Sequence, residues 1–449
     1  MSLASARRTA EQIAARLRAA GHEALLAGGC VRDALLRRRP KDYDVATSAT
    51  PPEVERLFPR TVAVGKAFGV VRVREEGFEI EVATFRVDGP YLDGRRPSTV
   101  RFCGAEEDAR RRDFTINGLF FDPARRRVVD YVGGRRDLAR RLIRAIGDPR
   151  ARFREDHLRM LRTVRFAAEL GFRIEPKTWR ALEAMAPRIR RVSAERLREE
   201  MTKLLLSPRP GFGLKLLAKS GLLRQVLPEV NAMRGVSQPR AFHPEGDVLT
   251  HTAAALDRLP RRPSAALAWG TLLHDVGKPP TFEKSTRKGK RRIRFPEHAR
   301  VGAEMAEGIL RRLRFSNADR EAVVALVANH MTFKDVPRMR LSTVKRLLAR
   351  PSIEEELALH RADCLASHGS LANVGILRRW QRRLAAAEIR PPRWVTGHDL
   401  LACGLAPGPR VGRILAEIEE AQLEGALKTR EEALRFARRL AGDAKPKGE

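Results

Sequence analysis

The chain has 449 residues, of which 43% are hydrophobic. A chain of this length is longer than one hydrophobic core accommodates, so we expect two to four packed units. Lysine and arginine total 88 against 55 aspartate and glutamate residues, a formal net charge of +33. This excess goes beyond the needs of solubility and indicates a polyanionic partner such as nucleic acid. No run approaches the roughly 18 apolar residues of a membrane span, and the N-terminus lacks a secretory pattern, so the sequence predicts a cytoplasmic protein without membrane association.

The usage of rarer residue types excludes other classes. The four cysteines, Cys30, Cys103, Cys364 and Cys403, lie far apart and form no CxxC pair, which argues against a disulfide framework or a zinc knuckle. Aromatic residues make up only 6%, so a base-stacking surface for single-stranded nucleic acid is not indicated.

The first predicted elements form an α/β head with a glycine turn. Leu26–Asp33 reads LAGGCVRD, an apolar strand end, two glycines and the first turn of a helix. Gly28 and Gly29 let backbone N–H groups approach a triphosphate closely, and the Arg32 guanidinium can bind phosphate oxygens. A glycine pair alone is more often a plain turn. The valine-rich stretch Arg60–Arg74 is also predicted to be extended.

Paired acidic residues follow in the sequence KDYDVAT. On a strand, Asp42 and Asp44 project to the same side, and two convergent carboxylates suit Mg²⁺ and two-metal phosphoryl transfer. The alternative is a charged surface turn. A further predicted strand, Gly77–Phe85, carries Glu81 among apolar residues, where an unpaired buried carboxylate is costly. Glu81 is therefore the candidate third carboxylate, ahead of Glu79.

Four long motifs of the first 140 residues support this interpretation. They are GGCVRD, KDYDVAT, RRDFTINGLFFD (Arg111–Asp122) and DYVGGRRDL (Asp130–Leu138). In this order they resemble the head of the class II tRNA nucleotidyltransferase and bacterial poly(A) polymerase family, and Thr84–Phe102 resembles the family's flexible loop near the active site. The resemblance implies a DNA polymerase beta-like head, a small mixed sheet with helices. It also implies that Arg112, Asp113 and Asn117 bind nucleotide.

The next motif, RFREDHLRMLRTVRF, resembles the family's nucleotide-selecting helix. Asp156 and Arg159 are three residues apart, which predicts one helical face. Cytosine and adenine each present an amino donor beside a ring acceptor, which matches an acceptor Asp beside a donor Arg, whereas uracil and guanine leave both groups unpaired. Arg162 and Arg165 are expected either to reach phosphate or to solvate the helix. SAERLREE (Ser193–Glu200) resembles the family's next neck motif, which implies that Glu195 and Arg196 brace the helix. A salt-bridged surface helix is the alternative.

A second constellation of histidines and aspartates resembles the HD phosphohydrolase superfamily. His251, His274, Asp275 and Asp363 match its defining residues, and His298 and His330 match those of members that bind two metals; His243 stands nearby. Imidazole and carboxylate mixtures suit a divalent metal that activates water. The resemblance implies that this domain is a phosphohydrolase, as in tRNA nucleotidyltransferases that carry one, and that its substrates include 2′,3′-cyclic phosphate ends. Packed core histidines are the alternative. The basic insert Lys284–Arg294 is predicted to be a solvated loop.

Together these features predict an α+β protein with four parts. They are a nucleotidyltransferase head at residues 1–140, an all-helical neck at 141–235, an HD domain at 236–370 and a helical, tRNA-binding tail at 371–449.

The predicted function is template-independent addition of CCA to tRNA 3′ ends from CTP and ATP. Mg²⁺ is expected at the head and Mg²⁺, Mn²⁺ or Ni²⁺ at the HD site, with the tRNA acceptor end as partner and no obligate protein partner. Four alternatives stay open: poly(A) polymerase activity, addition of only CC or only A, an HD phosphohydrolase with an inactive head, and a non-catalytic RNA-binding scaffold.

Overall fold

The structure is a computed structural model that describes residues 3–63, 69–89, 99–239, 243–287 and 290–442. The chain forms two compact units, Met1–Ala232 with Ile309–Phe315, and Met233–Gly308 with Ser316–Glu449. No helix in the described ranges is long and apolar enough to cross a membrane. The finer division into head, neck, HD domain and tail stays a prediction.

A mixed seven-stranded sheet organises the first unit. Its strands are β1 (Ala24–Ala27), β2 (Asp44–Thr47), β3 (Thr61–Ala63), β4 (Val70–Glu75), β5 (Phe78–Thr84), β8 (Leu119–Asp122) and β9 (Arg127–Asp130), and a separate pair is β6 (Arg86–Asp88) with β7 (Val100–Phe102). The order across the sheet is β3-β4-β5-β2-β1-β8-β9. Only the β2–β5 pair among these neighbours is parallel, and it places the start of β2 beside the middle of β5. Residues 90–98 of the predicted flexible loop lie outside the described ranges.

Strands β4 and β5 have one apolar and one charged face, whereas β1 buries all four of its residues. β4 buries Val71 and Val73, and β5 buries Ile80 and Val82, whereas the residues between them face outward. This period-two alternation is typical of a sheet that packs on a core through one face. The other face is therefore free to carry carboxylates.

Helices complete the first unit. They are α1 (Leu3–Ala19), α2 (Gly29–Leu35), α3 (Pro51–Leu57), α4 (Ala105–Arg111), α5 (Gly134–Ala139), α6 (Pro149–Glu155), α7 (Arg159–Leu170), α8 (Pro176–Met185), α9 (Ala194–Leu205), α10 (Pro210–Lys219), α11 (Leu222–Val226) and α12 (Pro228–Asn231). Ala10, Ile13, Ala14 and Leu17 of α1 are fully buried, as their helical spacing predicts. A short parallel pair of strands, β10 (Leu142–Ile143) with β11 (Arg173–Ile174), lies among the helices of this unit.

From Val248 onward the chain is mostly helical. The helices are α13 (Val248–Leu256), α14 (Ala265–Leu273), α15 (His298–Arg312), α16 (Asn317–Asn329), α17 (Leu341–Leu348), α18 (Ile353–Ala366), α19 (Ala372–Arg383), α20 (Ala386–Ile389), α21 (Gly397–Ala402), α22 (Pro409–Leu423) and α23 (Arg430–Gly442). The side chains of Asp247 and Ser264 cap α13 and α14 by accepting hydrogen bonds from backbone N–H groups.

The prediction of a solvated loop over Lys284–Arg294 is wrong. This segment forms an antiparallel hairpin of β12 (Glu283–Arg287) and β13 (Lys290–Arg294), with five register pairs. The run of basic residues shows no alternation of apolar and polar residues from which strands could be predicted. Backbone pairing needs no apolar side chains when both strands face solvent.

Candidate active site and metal centre

The glycine turn between β1 and α2 forms the floor of the first site. Gly28 has φ 73°, in the left-handed region that favours glycine, and a Cβ there would lie 3.1 Å from Nη1 of Arg112. Its N–H donates to the carbonyl oxygen of Leu119 at 3.0 Å. Glycine at this position therefore lets the Arg112 side chain lie against the turn.

Three carboxylates lie near the start of β2. Asp44 begins β2 and is paired in register with Glu81 of β5, while Asp42 lies just before β2. Burial, and then the nearby charges of Asp42 and Glu81, raise the pKa of Asp44 from 3.8 to about 7. A bound divalent cation would relieve this repulsion. Among the described residues, the groups whose ligand atoms all lie within 4.8 Å of one another are at the second site, so the head metal site stays a prediction.

The prediction that Glu81 is a buried carboxylate is wrong. The side chain of Glu81 is 49% exposed and forms an ion pair with Arg72 at 3.2 Å, so it is not a buried carboxylate in an apolar strand. Glu79 is likewise exposed and pairs with Arg74. Alternation along β5 explains this, because both glutamates point away from the core. Glu81 keeps its place beside Asp44 by register alone.

The residues of the second head motif are connected by hydrogen bonds. Nη1 of Arg32 donates to Oδ1 of Asn117 at 2.7 Å, and Nδ2 of Asn117 donates to Oδ1 of Asp113 at 3.0 Å. Nη2 of Arg162 lies 2.7 Å from Oδ2 of Asp113. Burial opposes ionisation, but the Arg162 guanidinium, the hydrogen bond from Asn117 and the charge of Arg159 together outweigh it and lower the pKa of Asp113 to about 2. Asp113 thus stays charged and holds Arg162 in place.

The prediction that Asp156 and Arg159 share one helical face is wrong. Helix α6 ends at Glu155 and α7 begins at Arg159, with Asp156 in an extended conformation between them. The Oδ1 atom of Asp156 accepts a hydrogen bond from the N–H of Leu158 at 3.0 Å. A short acidic side chain that bonds to the backbone in this way competes with helix formation. Both side chains nevertheless line the same cavity.

The two residues expected to brace this segment behave differently. Nη2 of Arg196 donates to Oδ2 of Asp156 at 2.7 Å, so Arg196 contacts the candidate selecting residue directly. Glu195 instead pairs with Arg314 at 3.1 Å, on an exposed surface. Only Arg196 therefore positions Asp156.

One cavity of about 580 Å³ brings most of the predicted head residues together. Of the predicted set, those that line it are Gly28, Gly29, Arg32, Asp42, Asp44, Arg112, Asp113, Asn117, Asp156, Arg159 and Arg162. Arg165, which was expected to reach phosphate or to solvate the helix, lines it as well. Lys41 and Lys203 also line it and were not predicted, since lone basic residues in so basic a chain carry no specific signal. Glu81 is not among the lining residues. A polar cavity of this volume accommodates a nucleotide.

Five helices build the second site. His251 lies in α13, His274 and Asp275 directly follow α14, His298 begins α15, His330 directly follows α16 and Asp363 lies in α18. A first group joins His251, His274 and Asp363, and Nε2 of His251 lies 3.0 Å from Oδ1 of Asp363. A second group joins Asp275, His298 and His330, and the Nε2 atoms of the two histidines are 3.3 Å apart.

Asp275 connects the two groups. Its Oδ2 lies 3.2 Å from Nε2 of His274, and its Oδ1 lies 3.7 Å from Nε2 of His298 and 3.8 Å from Nε2 of His330. One carboxylate that faces both groups with different oxygens can bridge two metal ions. The six residues thus fit two neighbouring cation positions.

The histidines are oriented for ligation through Nε2. The Nδ1 atoms of His274, His298 and His330 each lie within 2.9 Å of a backbone carbonyl oxygen, which assigns the proton to Nδ1 and leaves Nε2 as an acceptor. Within the described residues, Nε2 of His274 is buried and has no hydrogen-bond partner. Buried polar atoms of this kind are costly unless they bind a ligand, so the residues fit a divalent metal.

Two further residues at this site were missed from the sequence. Oε1 of Glu245 lies 2.6 Å from Nδ1 of His251 and 2.9 Å from Nδ1 of His243. Nζ of Lys278 lies 2.7 Å from Oδ2 of Asp275. Their nearness in sequence to His243 and to the His–Asp pair was the available signal. His243 therefore contacts Glu245, which in turn contacts the proposed ligand His251.

Comparison with known proteins places the chain in a family. Family models match four consecutive segments: the poly A polymerase head domain at residues 24–144, the probable RNA and SrmB-binding site of polymerase A at 171–234, the HD domain at 247–367 and the putative tRNA nucleotidyltransferase domain 2 at 372–437. The "A-adding tRNA nucleotidyltransferase" of Deinococcus radiodurans is 36% identical over 433 residues, covering 93% of this chain and 95% of that protein.

The chain belongs to the tRNA nucleotidyltransferase and poly(A) polymerase family. The "CCA-adding enzyme" of Geobacillus thermodenitrificans is 48% identical over 203 residues, 45% of this chain, so the match spans about half (50%) of that relative's length. A Bacillus stearothermophilus CCA-adding enzyme solved in complex with CTP has a TM-score of 0.73 and 30% identity, with 95% of each chain covered. The family and the fold predicted from the sequence are thereby confirmed.

Membership of this family gives the two sites a common context. The nucleotidyltransferase head and the HD domain both belong to classes that generally use divalent metals, in agreement with the ligand groups described above. Which ions they bind, and the role of each residue, stay predictions.

Proposed function

We propose that this protein is a nucleotidyltransferase that adds CCA to tRNA 3′ ends from CTP and ATP without a template, in the cytoplasm. The observation that carries this proposal is the single cavity lined by both Asp42 and Asp44 and by Asp156 and Arg159. Carboxylates suited to metal-assisted phosphoryl transfer and a donor–acceptor pair suited to base selection thus face the same space. The name of the CTP-bound structure supports it, whereas the name of the Deinococcus radiodurans relative supports addition of A alone.

In the proposed reaction the tRNA 3′-oxygen attacks the α-phosphorus of the nucleotide, and the bond to pyrophosphate breaks. Asp42, Asp44 and the adjacent Glu81 would hold Mg²⁺, which supplies charge stabilisation at the reacting phosphate. Arg32 and Arg112 lie at the glycine turn, where they would bind the triphosphate oxygens. The chain's own contribution is to position these groups before the nucleotide arrives.

Asp156 and Arg159 would select the base. Asp156 is held by Arg196, and Arg159 contacts Glu155 and the carbonyl oxygen of Arg152, so both side chains have fixed positions. An acceptor beside a donor matches cytosine and adenine alike, which explains how one site could serve CTP and then ATP. Uracil or guanine would leave both partners unpaired.

Purified full-length protein, offered tRNA transcripts ending at the discriminator base, at C or at CC with CTP or ATP, tests the proposal. Completion of CCA on all three transcripts supports it. Repeated A on any RNA would instead identify a poly(A) polymerase, and addition restricted to A or to CC would identify a partial enzyme, as the A-adding relative makes plausible. Asp42→Ala is the control and should lose incorporation by about 10²- to 10³-fold, since bound metal contributes several kcal/mol.

We further propose that the second site is a metal-dependent phosphohydrolase that acts on RNA terminal phosphates, including 2′,3′-cyclic phosphates. The bridging position of Asp275 between two groups of Nε2 ligands supports this second function. His251, His274, Asp275, His298, His330 and Asp363 would hold the metal, of the Mg²⁺, Mn²⁺ or Ni²⁺ class. Asp275→Asn should abolish hydrolysis and keep nucleotide addition, whereas Asp42→Ala should do the reverse; loss of both activities in either variant contradicts independent sites.

The rival assignments predict different outcomes in the same assays. A phosphohydrolase with an inactive head would hydrolyse terminal phosphates and incorporate no nucleotide. A non-catalytic RNA-binding scaffold would bind tRNA with no metal-dependent turnover.

A further inference from the structure

A strongly basic hairpin lies between two of the proposed metal-binding segments. The strands β12 and β13 follow Lys278 and precede His298, and Glu283–Arg294 contains seven lysine and arginine residues against one glutamate. Both ends of the hairpin therefore lead directly into the proposed phosphohydrolase site.

Aromatic contacts connect the base of the hairpin to that site. The rings of Phe282 and Phe295, which flank the two strands, have centroids 5.8 Å apart. The centroid of the Phe295 ring lies 5.4 Å from Nζ of Lys278 and 6.4 Å from the centroid of the His298 ring. The backbone carbonyl oxygen of Phe295 lies 2.9 Å from Nδ1 of His298. The hairpin is thus attached to a proposed metal ligand and to the lysine beside Asp275.

The described charges of the hairpin face solvent without acidic partners. Lys284, Arg292 and Arg294 are exposed, and none of them forms an ion pair with a carboxylate in the described part of the chain. Arg292 is paired in register with Ser285 and Arg294 with Glu283, so both arginines project from one face of the hairpin. Repulsion among unneutralised positive charges is relieved by a polyanion.

We propose that the hairpin β12–β13 binds the sugar-phosphate backbone of RNA beside the terminal phosphate that enters the HD-type site. The site would then act on RNA ends in preference to free nucleotides. This inference rests on the proposed phosphohydrolase function. Hydrolysis there forms a bond from a water oxygen to phosphorus and breaks a phosphorus–oxygen ester bond, and a proton from the water passes to the leaving oxygen.

Two substrates separate this role from simple support of the site. The full-length chain is assayed on a short RNA ending in a 2′,3′-cyclic phosphate and on the matching nucleoside 2′,3′-cyclic phosphate, each with Mn²⁺ or Ni²⁺. In the K284Q/R292Q/R294Q variant, KM for the RNA should rise about tenfold or more, because phosphate contacts dominate such affinities. The slope of log KM against log salt should fall by about two for three lost contacts. Kinetics on the mononucleotide should stay unchanged.

The matched control is R258Q/R261Q/R262Q. It removes the same number of exposed charges from the segment between α13 and α14, at the opposite ends of these helices from His251 and His274. It should not alter KM for the short RNA.

Each other outcome overturns the inference. Equal losses on RNA and mononucleotide mean that the hairpin only supports the site, and no loss on either means that RNA does not contact it. In both cases wild-type hydrolysis still stands, so the proposed function survives. If wild-type protein hydrolyses neither substrate, the proposed phosphohydrolase function fails and this inference fails with it.

Discussion

Asp44 and Glu81 are register partners on the adjacent parallel strands β2 and β5, so their carboxylates project from the same face of the sheet. Asp42 adds a third negative charge immediately before β2. The fold thus holds like charges together at a cost in stability. Such strain is typical of functional sites, where a cation or substrate relieves it.

Asp44→Asn should stabilise the metal-free protein at pH 8. The pKa of Asp44 is raised from 3.8 to about 7, so between these values the folded state holds a proton that the unfolded chain has lost. The contribution of Asp44 to the free energy of unfolding therefore falls as pH rises from about 4 to about 7, and it is constant above that range. Asparagine mimics the protonated form, so thermal unfolding should show a gain of about 1 kcal/mol or more at pH 8 and little at pH 4.

The control for this effect is Asp335→Asn, at an exposed position, which should leave stability unchanged. Mg²⁺ should reduce the difference between Asp44→Asn and wild type, because the cation stabilises only the charged form. A variant that is less stable than wild type at both pH values would contradict the argument.

Arg196→Ala should impair base selection more than catalysis. The guanidinium of Arg196 donates to Oδ2 of Asp156, and no helix fixes Asp156 because α6 ends before it. Incorporation of UTP and GTP relative to CTP should rise about tenfold or more when Asp156 is free to move. Glu199→Ala, on the same helix and exposed, is the matched control. Equal losses for all four nucleotides would show that Arg196 acts on something other than selection.

Local signals in the sequence predicted the parts of the site that depend on single residues. The turn at Gly28 follows from the conformational freedom of glycine, and β5 follows from the alternation of apolar and polar residues. The prediction that Asp42 and Asp44 lie on one strand is wrong, because β2 begins at Asp44. The histidines of the second site could be chosen because few residue types serve as metal ligands. Each of these inferences needed no knowledge of which elements pack together.

The errors concern properties that depend on neighbours. Glu81 is half exposed and pairs with Arg72 of the adjacent strand, and Asp156 interrupts a helix because its side chain bonds to a nearby N–H. The contact of Lys278 with Asp275 is local, because the two residues are three apart, whereas the contact of Glu245 with His251 depends on how the segment before α13 packs. Apolar and polar alternation does not encode these side-chain pairs.

Gly277→Ala should disrupt the second site and leave nucleotide addition intact. A Cβ at Gly277 would lie 2.1 Å from the carbonyl oxygen of His298 and 2.6 Å from the backbone nitrogen of Gly302, so α15 must shift. Such overpacking costs about 1–3 kcal/mol and displaces His298 from Asp275. Gly308→Ala, in the same helix with open space around it, should instead stabilise by about 0.5–1 kcal/mol. Retained hydrolysis in Gly277→Ala would contradict the close approach.

Metal binding at Asp275 should appear as a thermal shift. In an Asp42→Asn/Asp44→Asn background, which removes the head carboxylates, Mn²⁺ or Ni²⁺ added after chelator treatment should raise Tm. An ion that binds only the folded state stabilises it by about 2.7 kcal/mol at a hundredfold excess over Kd. Asp275→Asn should abolish the shift, because its two oxygens face both ligand groups. His398→Gln removes an exposed histidine elsewhere and should keep the shift. A full shift in Asp275→Asn would place the ion outside the two groups and remove the basis for metal-dependent hydrolysis there.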